Sequence, residues 1–327
     1  MRILILGSGS FAGQALFSDL LKNGYEVYGI NRSPIKSNEQ WEWLKEININ
    51  LNWFQLNIFK ESEKFGSLLK EINPTHILDF MGQGMVAQSW DDPKLWYATN
   101  VAEKSFILES IRKLNNLQKY VRASTPEVYG SNSNYINEDH KFNPSTPYAA
   151  SHAAIDFHIR CLGKQFDFPY SIGRFSNFYG EGQQLYRVIP RAILSCLTGQ
   201  KFILDGKGLS KRSFIHSIDI IKSMRLMLFS SNHHSEFNFS GNEEISIEDL
   251  TRLICKLTNV HFEEIIEIGP ERPGKDMFYR LDCQKAELEL NWEPKINLQD
   301  GIYRTICWIE RNIEKLSKSN WNYIHQK

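Results

Sequence analysis

Short apolar segments alternate with amphipathic ones through the first half of the chain. Helical spacing is clearest in Phe11–Lys22, Lys94–Leu114 and Tyr148–Gly163. The continuous apolar segments have the length of strands and are Arg2–Leu6, Glu26–Ile30, Trp53–Leu56, His76–Phe80, Tyr120–Ala123 and Tyr170–Arg174. This alternation is typical of βαβ units, in which helices cover both faces of a parallel sheet. The pattern therefore predicts an α/β fold with a doubly wound parallel sheet.

The pattern changes after Arg174. A strand at Arg212–Ile215 and a helix at Asp219–Phe229 look like a return to the sheet. The other predicted elements are the helix Val188–Leu197, the strand Lys201–Leu204 and helices at Ser246–Leu257, Cys283–Leu290 and Leu298–Ile313. Because no Pro- or Ser-rich linker separates the parts, we expect two intertwined domains. Residues 1–175 with 212–240 form the first, and a smaller α/β domain comprises 176–211 with 241–327.

Composition and charge exclude several classes of function. The 327 residues carry a net charge of zero with a pI near 7.1, so neither nucleic acid nor an anionic membrane is expected as a partner. No apolar run approaches 18 residues, and no leader is recognisable, which predicts a cytoplasmic protein. Five cysteines without C-x-x-C spacing predict free thiols and no metal site.

A Gly-rich turn follows the first predicted strand and opens the first predicted helix. It consists of Gly7, Ser8, Gly9, Ser10, Phe11, Ala12 and Gly13. Backbone N–H groups at a helix N-terminus can hold a pyrophosphate, and glycines permit the tight turn and the close approach. The position of this turn therefore predicts a dinucleotide-binding Rossmann domain.

The end of the second predicted strand bears on the choice of dinucleotide. An acidic residue there normally accepts a hydrogen bond from the NAD ribose, but this strand ends in Asn31, Arg32 and Ser33. Without a carboxylate, a 2′-phosphate is not repelled, and Arg32 with Ser33 can bind it. NADP is therefore favoured as the cofactor, with NAD as the alternative.

Two segments carry a resemblance to a known family. Residues 119–130 read K-Y-V-R-A-S-T-P-E-V-Y-G, and residues 147–152 read P-Y-A-A-S-H. They resemble the extended short-chain dehydrogenases that act on nucleotide sugars, most closely the NDP-hexose 4,6-dehydratases. The resemblance implies that Tyr148 exchanges a proton with the sugar's 4-hydroxyl, which Thr125 also contacts. It further implies that Glu127 removes the proton from carbon 5.

The resemblance extends over nearly the whole chain, through F-M-G-Q-G-M-V-A-Q-S-W at 80–90, Y-A-T-N-V at 97–101, R-F-S-N-F-Y-G at 174–180 and E-R-P-G-K-D at 271–276. Lys275 stands where the dehydratases have His. The further cofactor contacts that the resemblance implies are Asn57, Ile58, Phe80, Met81, Gly82 and Asn100. The implied contacts to a nucleotide-diphosphate hexose are Gln83, Ser89, Asn177, Arg191, Arg212 and Arg272. The helices at 94–114 and 148–163 correspond to those of a four-helix dimer interface, so a homodimer is implied.

The chain departs from the family pattern at two catalytic positions. Pro126 replaces the Asp that protonates the leaving water in many of these dehydratases, so Glu127 would perform both duties. His152 replaces the Lys that lowers the pKa of the catalytic Tyr and binds the nicotinamide ribose. As a cofactor-binding residue beside Tyr148, His152 can still donate one hydrogen bond to a ribose hydroxyl. Because imidazole is mostly neutral at pH 7, we expect a raised Tyr148 pKa and a rate that increases into alkaline pH. On this hypothesis, His152→Lys shifts the profile to lower pH.

Other functions stay open from the sequence. Within the same family these are an NDP-sugar epimerase, a 4-keto reductase and a UDP-glucuronate decarboxylase. Pro126 and His152 together also suggest a non-catalytic sensor of nucleotide sugars or dinucleotides. The nucleotide base and the sugar epimer of a substrate cannot be inferred from these motifs.

Overall fold

The computed structural model describes residues 1–33, 43, 52–271 and 278–323. The strands are β1 (Arg2–Leu6), β2 (Glu26–Asn31), β3 (Trp53–Gln55), β4 (His76–Asp79), β5 (Lys119–Ser124), β6 (Asn132–Ile136), β7 (Tyr170–Phe175), β8 (Asn177–Tyr179), β9 (Phe202–Asp205), β10 (Lys211–His216), β11 (Ser235–Phe239), β12 (Glu244–Ser246), β13 (Ile266–Gly269) and β14 (Tyr279–Leu281). The predicted strands are all present, whereas β6, β8 and β11–β14 were not predicted.

Seven of these strands form one parallel sheet in the order β11-β7-β5-β4-β1-β2-β3. The chain reverses its direction of travel across the sheet between β1 and β4. In doubly wound folds a ligand binds at such a switch point, beyond the carboxyl ends of the strands. The predicted fold class is confirmed.

The helices are α1 (Phe11–Lys22), α2 (Ser62–Ile72), α3 (Pro93–Tyr97), α4 (Lys104–Arg112), α5 (Pro147–Phe166), α6 (Val188–Thr198), α7 (Ser217–Phe229), α8 (Ile247–Leu257), α9 (Phe262–Ile265), α10 (Gln284–Leu290), α11 (Leu298–Arg311) and α12 (Ile313–Leu316). All the predicted helices are present, and α2, α9 and α12 are additional helices that were not predicted. A π-helical turn at Ala98–Glu103 joins α3 to α4, so the single predicted helix Lys94–Leu114 has an irregular middle. In the part of the chain that the structure describes, no helix has the length and apolarity to cross a membrane.

The strand β10 corrects one prediction. The segment Arg212–Ile215 does not return to the main sheet, because β10 pairs with β8 and β12 in a separate three-stranded sheet. The return is made by α7 and then by β11, which pairs with β7. The segment S-E-F-N-F of β11 alternates in polarity and lacks the continuous apolar run on which the strand predictions were based. The remaining domain bounds stay predictions.

Both faces of the main sheet are buried. Along β1, Ile3 and Ile5 pack into the cluster under α1 and α7, whereas Leu4 and Leu6 pack into the cluster under α2, α4 and α5. Successive side chains of a strand point to opposite faces, so a strand covered on both sides is apolar throughout. A third cluster, built by α6, α8 and α11, is the core of the smaller part of the molecule. The sheet thus gives a rigid base to the loops at its carboxyl edge.

Candidate active site

The Gly-rich turn between β1 and α1 is tightly packed. Ser10 is the N-cap of α1, and its Oγ accepts a hydrogen bond of 3.1 Å from the Gly13 N–H. A Cβ at Gly13 would lie 2.3 Å from the Gly7 carbonyl oxygen, so helix and strand approach as predicted. A Cβ at Gly9 would lie 2.4 Å from the amide nitrogen of Asn31. A larger residue at position 9 would therefore displace the Asn31 side chain as well as crowd a cofactor.

This turn fits a dinucleotide pyrophosphate, because it presents a capped helix N-terminus at the switch point of the sheet. Ser8, Phe11 and Ala12 belong to the same turn, and all three are buried. At the end of β2, the amide of Asn31 donates to the Ser33 carbonyl over 2.9 Å. Arg32 is exposed.

The loop after β4 forms the next part of the site. Asn100, buried in the π-helical turn, accepts a 2.7 Å hydrogen bond from the Gln83 N–H and donates to the Ser151 hydroxyl over 2.9 Å. Asn100 therefore ties the loop containing Gly82 and Gln83 to α5. Phe80, Met81 and Gly82 lie in this loop, and Asn57 and Ile58 follow β3, at the same edge of the sheet. A π turn inside a helix is frequent at functional sites.

Thr125, Pro126 and Glu127 begin a short 3₁₀ turn directly after β5. The Thr125 Oγ1 accepts a hydrogen bond of 3.3 Å from the Glu127 N–H. Pro126 occupies the first position of the turn, where its fixed φ is favourable and no N–H is needed. Pro126 is buried and Glu127 is half-buried. The turn thus fixes the positions of Thr125 and Glu127 relative to each other.

Tyr148 and His152 face one another on α5, with ring centroids 4.6 Å apart. Their exposed fractions are 9% and 7%. Burial raises the pKa of Tyr148 to about 12; the charge of Glu127 adds to this, and the Thr125 hydroxyl, Arg187 and Arg122 act in the opposite direction. The direction agrees with the expected raised pKa. Thr125, Glu127 and Tyr148 therefore lie close enough to influence one another, which brings the predicted catalytic groups together.

The imidazole of His152 contacts a buried guanidinium. The Arg122 Nη2 lies 3.0 Å from His152 Nδ1, and the Arg122 Nε donates to Asp156 over 3.0 Å. Burial, followed by the charges of Arg122 and Lys104, lowers the pKa of His152 well below its usual value. His152 is therefore neutral at physiological pH in this environment.

Asp156 is the centre of a buried ionic network. It accepts hydrogen bonds from Arg122 and Ser124, and from Arg174 over 3.0 Å. Arg174 also donates to Glu236 over 2.6 Å, and Arg160 binds Glu236 through two hydrogen bonds. Buried charges are tolerated when they are paired and hydrogen-bonded in this way. The network fixes the position of α5 on β5 and β7, and with it the positions of Tyr148 and His152.

A second buried ion pair lies under the loop after β4. The Lys104 Nζ donates to both Asp79 carboxylate oxygens, at 2.6 and 2.5 Å, and the Tyr120 hydroxyl donates to the same carboxylate. Burial alone would raise the pKa of Asp79, but the neighbouring charges of Lys104 and Arg122 lower it below its ordinary value. The ionised carboxylate also accepts the Met81 N–H over 2.9 Å. The pair therefore shapes the start of the predicted cofactor loop.

The residues predicted to contact the substrate do not all lie at one place in the structure. Asn177 is exposed at the start of β8, beside β10, which carries Arg212. The Arg212 guanidinium lies 4.5 Å from the Tyr279 ring centroid. The Arg191 guanidinium donates to the Trp321 carbonyl over 2.7 Å, and the fully buried Ser89 donates to the Val86 carbonyl over 2.6 Å.

The contacts of Arg191 and Ser89 are thus structural in this conformation. Arg272 lies outside the described residues, as does Lys275. No cluster of potential metal ligands occurs in residues 1–33, 52–271 and 278–323.

The charged residues that support the site were not predicted from the sequence. Arg122 stands in the middle of an apolar strand, which is itself a signal for a buried ion pair. Asp156 follows His152 by four positions and so lies on the same face of α5. Arg187, whose charge acts on Tyr148, also donates to the Gly84 carbonyl over 3.3 Å. Nothing in its loop sequence indicates that contact.

The fold and the site define the class of the protein. A seven-stranded Rossmann sheet, a Gly-rich turn at the switch point and a Thr-x-Glu…Tyr arrangement at the carboxyl edge are those of an extended short-chain dehydrogenase acting on nucleotide sugars. The sequence profile of the GDP-mannose 4,6 dehydratase family matches residues 4–305. The chain belongs to this family.

Similar proteins include several 4,6-dehydratases. The dTDP-glucose 4,6-dehydratase of Haemophilus influenzae is 25% identical over 94% of this chain and 97% of its own length. A trifunctional UDP-glucose 4,6-dehydratase, epimerase and reductase of Arabidopsis thaliana is 25% identical over 95% of this chain, which spans 47% of that larger protein. The crystal structure of the Streptomyces venezuelae dTDP-glucose 4,6-dehydratase with NAD bound superposes with a TM-score of 0.89 at 25% identity, over 96% of this chain and 98% of the other.

Proposed function

We propose that the protein is a nucleotide-sugar 4,6-dehydratase, which converts an NDP-hexose to an NDP-4-keto-6-deoxyhexose. The observation that supports this most strongly is the convergence of Thr125, Glu127 and Tyr148 at the carboxyl edge of β5. The negative charge of Glu127 raises the pKa of Tyr148, and the Thr125 hydroxyl lowers it, so the three groups are near one another. This set supplies a base for an alcohol, a base for a carbon acid and a hydroxyl that orients the sugar.

The residues of the chain divide the proposed chemistry among them. A bound nicotinamide would supply an acceptor for the hydride of carbon 4 and return it to carbon 6 in the same turnover. Tyr148 takes the proton of the 4-hydroxyl, whose oxygen Thr125 orients. Glu127 takes the proton from carbon 5 after the neighbouring ketone has made it acidic. Because Pro126 has no proton to give, Glu127 also protonates the departing 6-hydroxyl.

The test is incubation with a panel of nucleotide hexoses and mass spectrometry of the products. A product lighter by one water, formed by the wild type and lost in Glu127→Gln, is the expected result. Glu287→Gln, which alters an exposed carboxylate on α10, is the control. Isomerisation without a change in mass would indicate an epimerase. In a parallel incubation with a 4-keto nucleotide sugar and reduced cofactor, a product with two added hydrogens would indicate a 4-keto reductase. Loss of carbon dioxide would indicate a decarboxylase, and binding without turnover a sensor; each of these results overturns the proposal.

NADP is the cofactor that we propose, although the similar crystal structure contains NAD. The support is the amide of Asn31 in place of a carboxylate and the exposed guanidinium of Arg32. The charge of Arg32 also lowers the pKa of Glu103, which burial raises, so a carboxylate lies near this guanidinium and weakens its field. Arg32→Ala should weaken NADP binding about tenfold or more and leave NAD binding nearly unchanged. Tighter binding of NAD than of NADP by the wild type would contradict the proposal.

The proposed diphosphate contacts are Asn177, Arg212 and Arg272, with Gln83 near the sugar. Arg212 stacks on Tyr279 and lies on β10 two residues before Phe214, which is paired with Asn177 of β8, and a diphosphate could span this distance. Arg212→Met should raise the KM for the nucleotide sugar with little effect on kcat, because the diphosphate is remote from the reacting carbons. A fall in kcat by as large a factor as the rise in KM would indicate instead that Arg212 acts in the chemical step.

We also propose a cytosolic homodimer that pairs α3–α4 and α5 with their counterparts. Four aromatic side chains on these helices are 42–52% exposed: Tyr97, Phe106, Phe157 and Phe166. Such a concentration of exposed aromatic surface is typical of an interaction site. Phe157→Glu should therefore convert a dimer to a monomer in light scattering, whereas Leu288→Glu, on the exposed face of α10, should not. A monomeric wild type at micromolar concentration would refute the proposal.

A further inference from the structure

The contact between Arg122 and His152 fixes which nitrogen of the imidazole carries the proton. A guanidinium has only N–H donors, so His152 Nδ1, 3.0 Å from Arg122 Nη2, must accept. In a neutral imidazole the single proton then resides on Nε2. Arg122 is held in place by Asp156 on its other side, through the 3.0 Å hydrogen bond from Nε. The tautomer is therefore set by a group that is itself immobilised.

The surrounding charges disfavour a second proton on this ring. Arg122 from β5 and Lys104 from α4 place positive charge near His152 and lower its pKa, whereas the Gln83 backbone and the carboxylate of Asp79 from β4 act in the opposite direction. Asp79 is already paired with Lys104, and Asp156 is shared by Arg122 and Arg174. On its own helix, His152 faces the neutral phenol of Tyr148. An imidazolium here would add a buried cation without a free anion to pair with it.

The protonated nitrogen has no well-formed hydrogen bond to the protein. Among the described residues, His152 Nε2 is buried without a partner of good geometry, although the Gln83 backbone lies close enough to the imidazole to raise its pKa. A Cβ placed on the exposed Gly82 would lie 3.8 Å from His152 Cε1, so the ring borders the loop that follows β4. Buried polar atoms in native proteins are nearly always hydrogen-bonded, and an exception at a site suggests a ligand. Nε2–H is thus an available donor at the predicted cofactor loop.

We infer that Arg122 is a positioning residue that holds His152 as a neutral donor through Nε2, directed at a ribose hydroxyl of the bound nicotinamide cofactor. This inference rests on the proposed nicotinamide-dependent function. It assigns to His152 the hydrogen bond to the ribose, without the positive charge that a lysine would bring. The positive charge in this region is carried instead by Arg122, whose Nη2 lies 3.0 Å from His152 Nδ1.

The tautomer can be measured without any substrate, by NMR of the protein labelled with ¹⁵N-histidine. His152 should show a neutral imidazole protonated at Nε2 from pH 6 to pH 9, with its signals assigned by their loss in His152→Gln. Arg122→Met should produce a mixture of tautomers, and Arg122→Lys should restore the wild-type pattern. Arg160→Met removes a cation from the same network, one that binds Glu236, and should leave the His152 signals unchanged.

A wild-type ring protonated at Nδ1, or one that titrates between pH 6 and 7, would overturn the inference. So would an Arg122→Met protein with the wild-type pattern. If circular dichroism shows that Arg122→Met does not fold, the inference is tested by the His152 tautomer in the NMR spectra of the wild type and of Arg122→Lys, because both proteins retain a cation at position 122.

Cofactor affinity tests the donor itself. His152→Met should weaken binding of NADP and of NAD roughly three- to tenfold, the effect of one neutral hydrogen bond, in calorimetry. His152→Gln, whose amide nitrogen reaches about the position of Nε2, should bind nearly as well as the wild type. Equal binding by the Met variant and the wild type would contradict the donor role. If these results hold but no nucleotide hexose is dehydrated, the proposed reaction fails while the inference stands.

Discussion

The substitution His152→Lys restores the residue that the family pattern leads one to expect, and the sequence predicts that it lowers the pH at which the enzyme works. The structure changes this expectation. A lysine at position 152 would place its ammonium beside the guanidinium of Arg122, which lies 3.0 Å from the present imidazole. The single variant should therefore show little change in the pKa of Tyr148. The double variant, His152→Lys with Arg122→Met, should show a large decrease in that pKa.

The magnitudes follow from elementary electrostatics. Two like charges about 4 Å apart repel by about 4 kcal/mol at an effective dielectric constant of about 20. That repulsion lowers the pKa of the new lysine by about three units, and burial lowers it further, so the lysine is largely neutral at alkaline pH. With Arg122 replaced by Met, the ammonium stays charged roughly 5 Å from the Tyr148 ring. Its field then favours the tyrosinate by about 3 kcal/mol, or about two pKa units.

The assay is the ultraviolet absorbance of tyrosinate between pH 8 and 10.5, taken as the difference between each protein and its Tyr148→Phe counterpart. Because burial raises the pKa of Tyr148 to about 12, the wild type and His152→Lys should show no titration in this range. In the double variant, Tyr148 should be half ionised near pH 10. A parallel shift in the pH profile of kcat/KM is expected wherever turnover is detected. If the single variant shifts as far as the double variant, the role assigned to Arg122 is refuted.

Three other predictions concern the network, the Gly-rich turn and the elimination step. Asp79→Asn leaves a buried ammonium unpaired and should cost about 3–5 kcal/mol in urea unfolding at pH 7. Because its folded-state pKa is lowered, Asp79 contributes stability above about pH 4 that is lost at lower pH. The difference in unfolding free energy between the wild type and Asp79→Asn should therefore decrease between about pH 4 and about pH 2. A difference that stays constant with pH would contradict the ion pair. Gly13→Ala should destabilise the fold by about 1–3 kcal/mol through overlap with the turn, whereas Gly66→Ala in α2, which meets open space, should stabilise it slightly in the same assay. Glu127→Gln should abolish release of water while leaving calorimetric NADP affinity within about twofold, and a large loss of affinity would indicate a disrupted site.

The main fold could be predicted from periodicity because its strands are buried on both faces. In β1, four successive apolar residues pack alternately into two cores, which makes the segment unmistakable. The short strands of the smaller part give no such signal. In β10, K-R-S-F-I-H contains only two consecutive apolar residues, and its partners β8 and β12 are three residues long. Their pairing depends on tertiary packing that local sequence does not encode.

The candidate site was predictable where motif spacing carries the chemistry, as for Thr125, Glu127 and Tyr148. The parts of the site that depend on contacts between residues far apart in the sequence could not be predicted. The contact of Arg122 with His152 joins residues 30 positions apart on different elements. Arg191 was expected at the substrate, but its guanidinium binds the carbonyl of Trp321, 130 positions later. A side chain's reach and rotamer decide such contacts, and spacing along the chain does not fix either.

The replacement of lysine by histidine and the presence of Arg122 are best understood as one feature. An arginine inside a buried parallel strand is costly unless its charge is paired, and Asp156 serves both Arg122 and Arg174. The region beside position 152 thus already holds positive charge, and a neutral imidazole fits there better than a second cation. The charge of Arg122 lowers the pKa of Tyr148, but burial raises that pKa more. The catalytic phenol therefore depends on a more distant cation than a lysine, and Arg122→Met should move its ionisation to still higher pH.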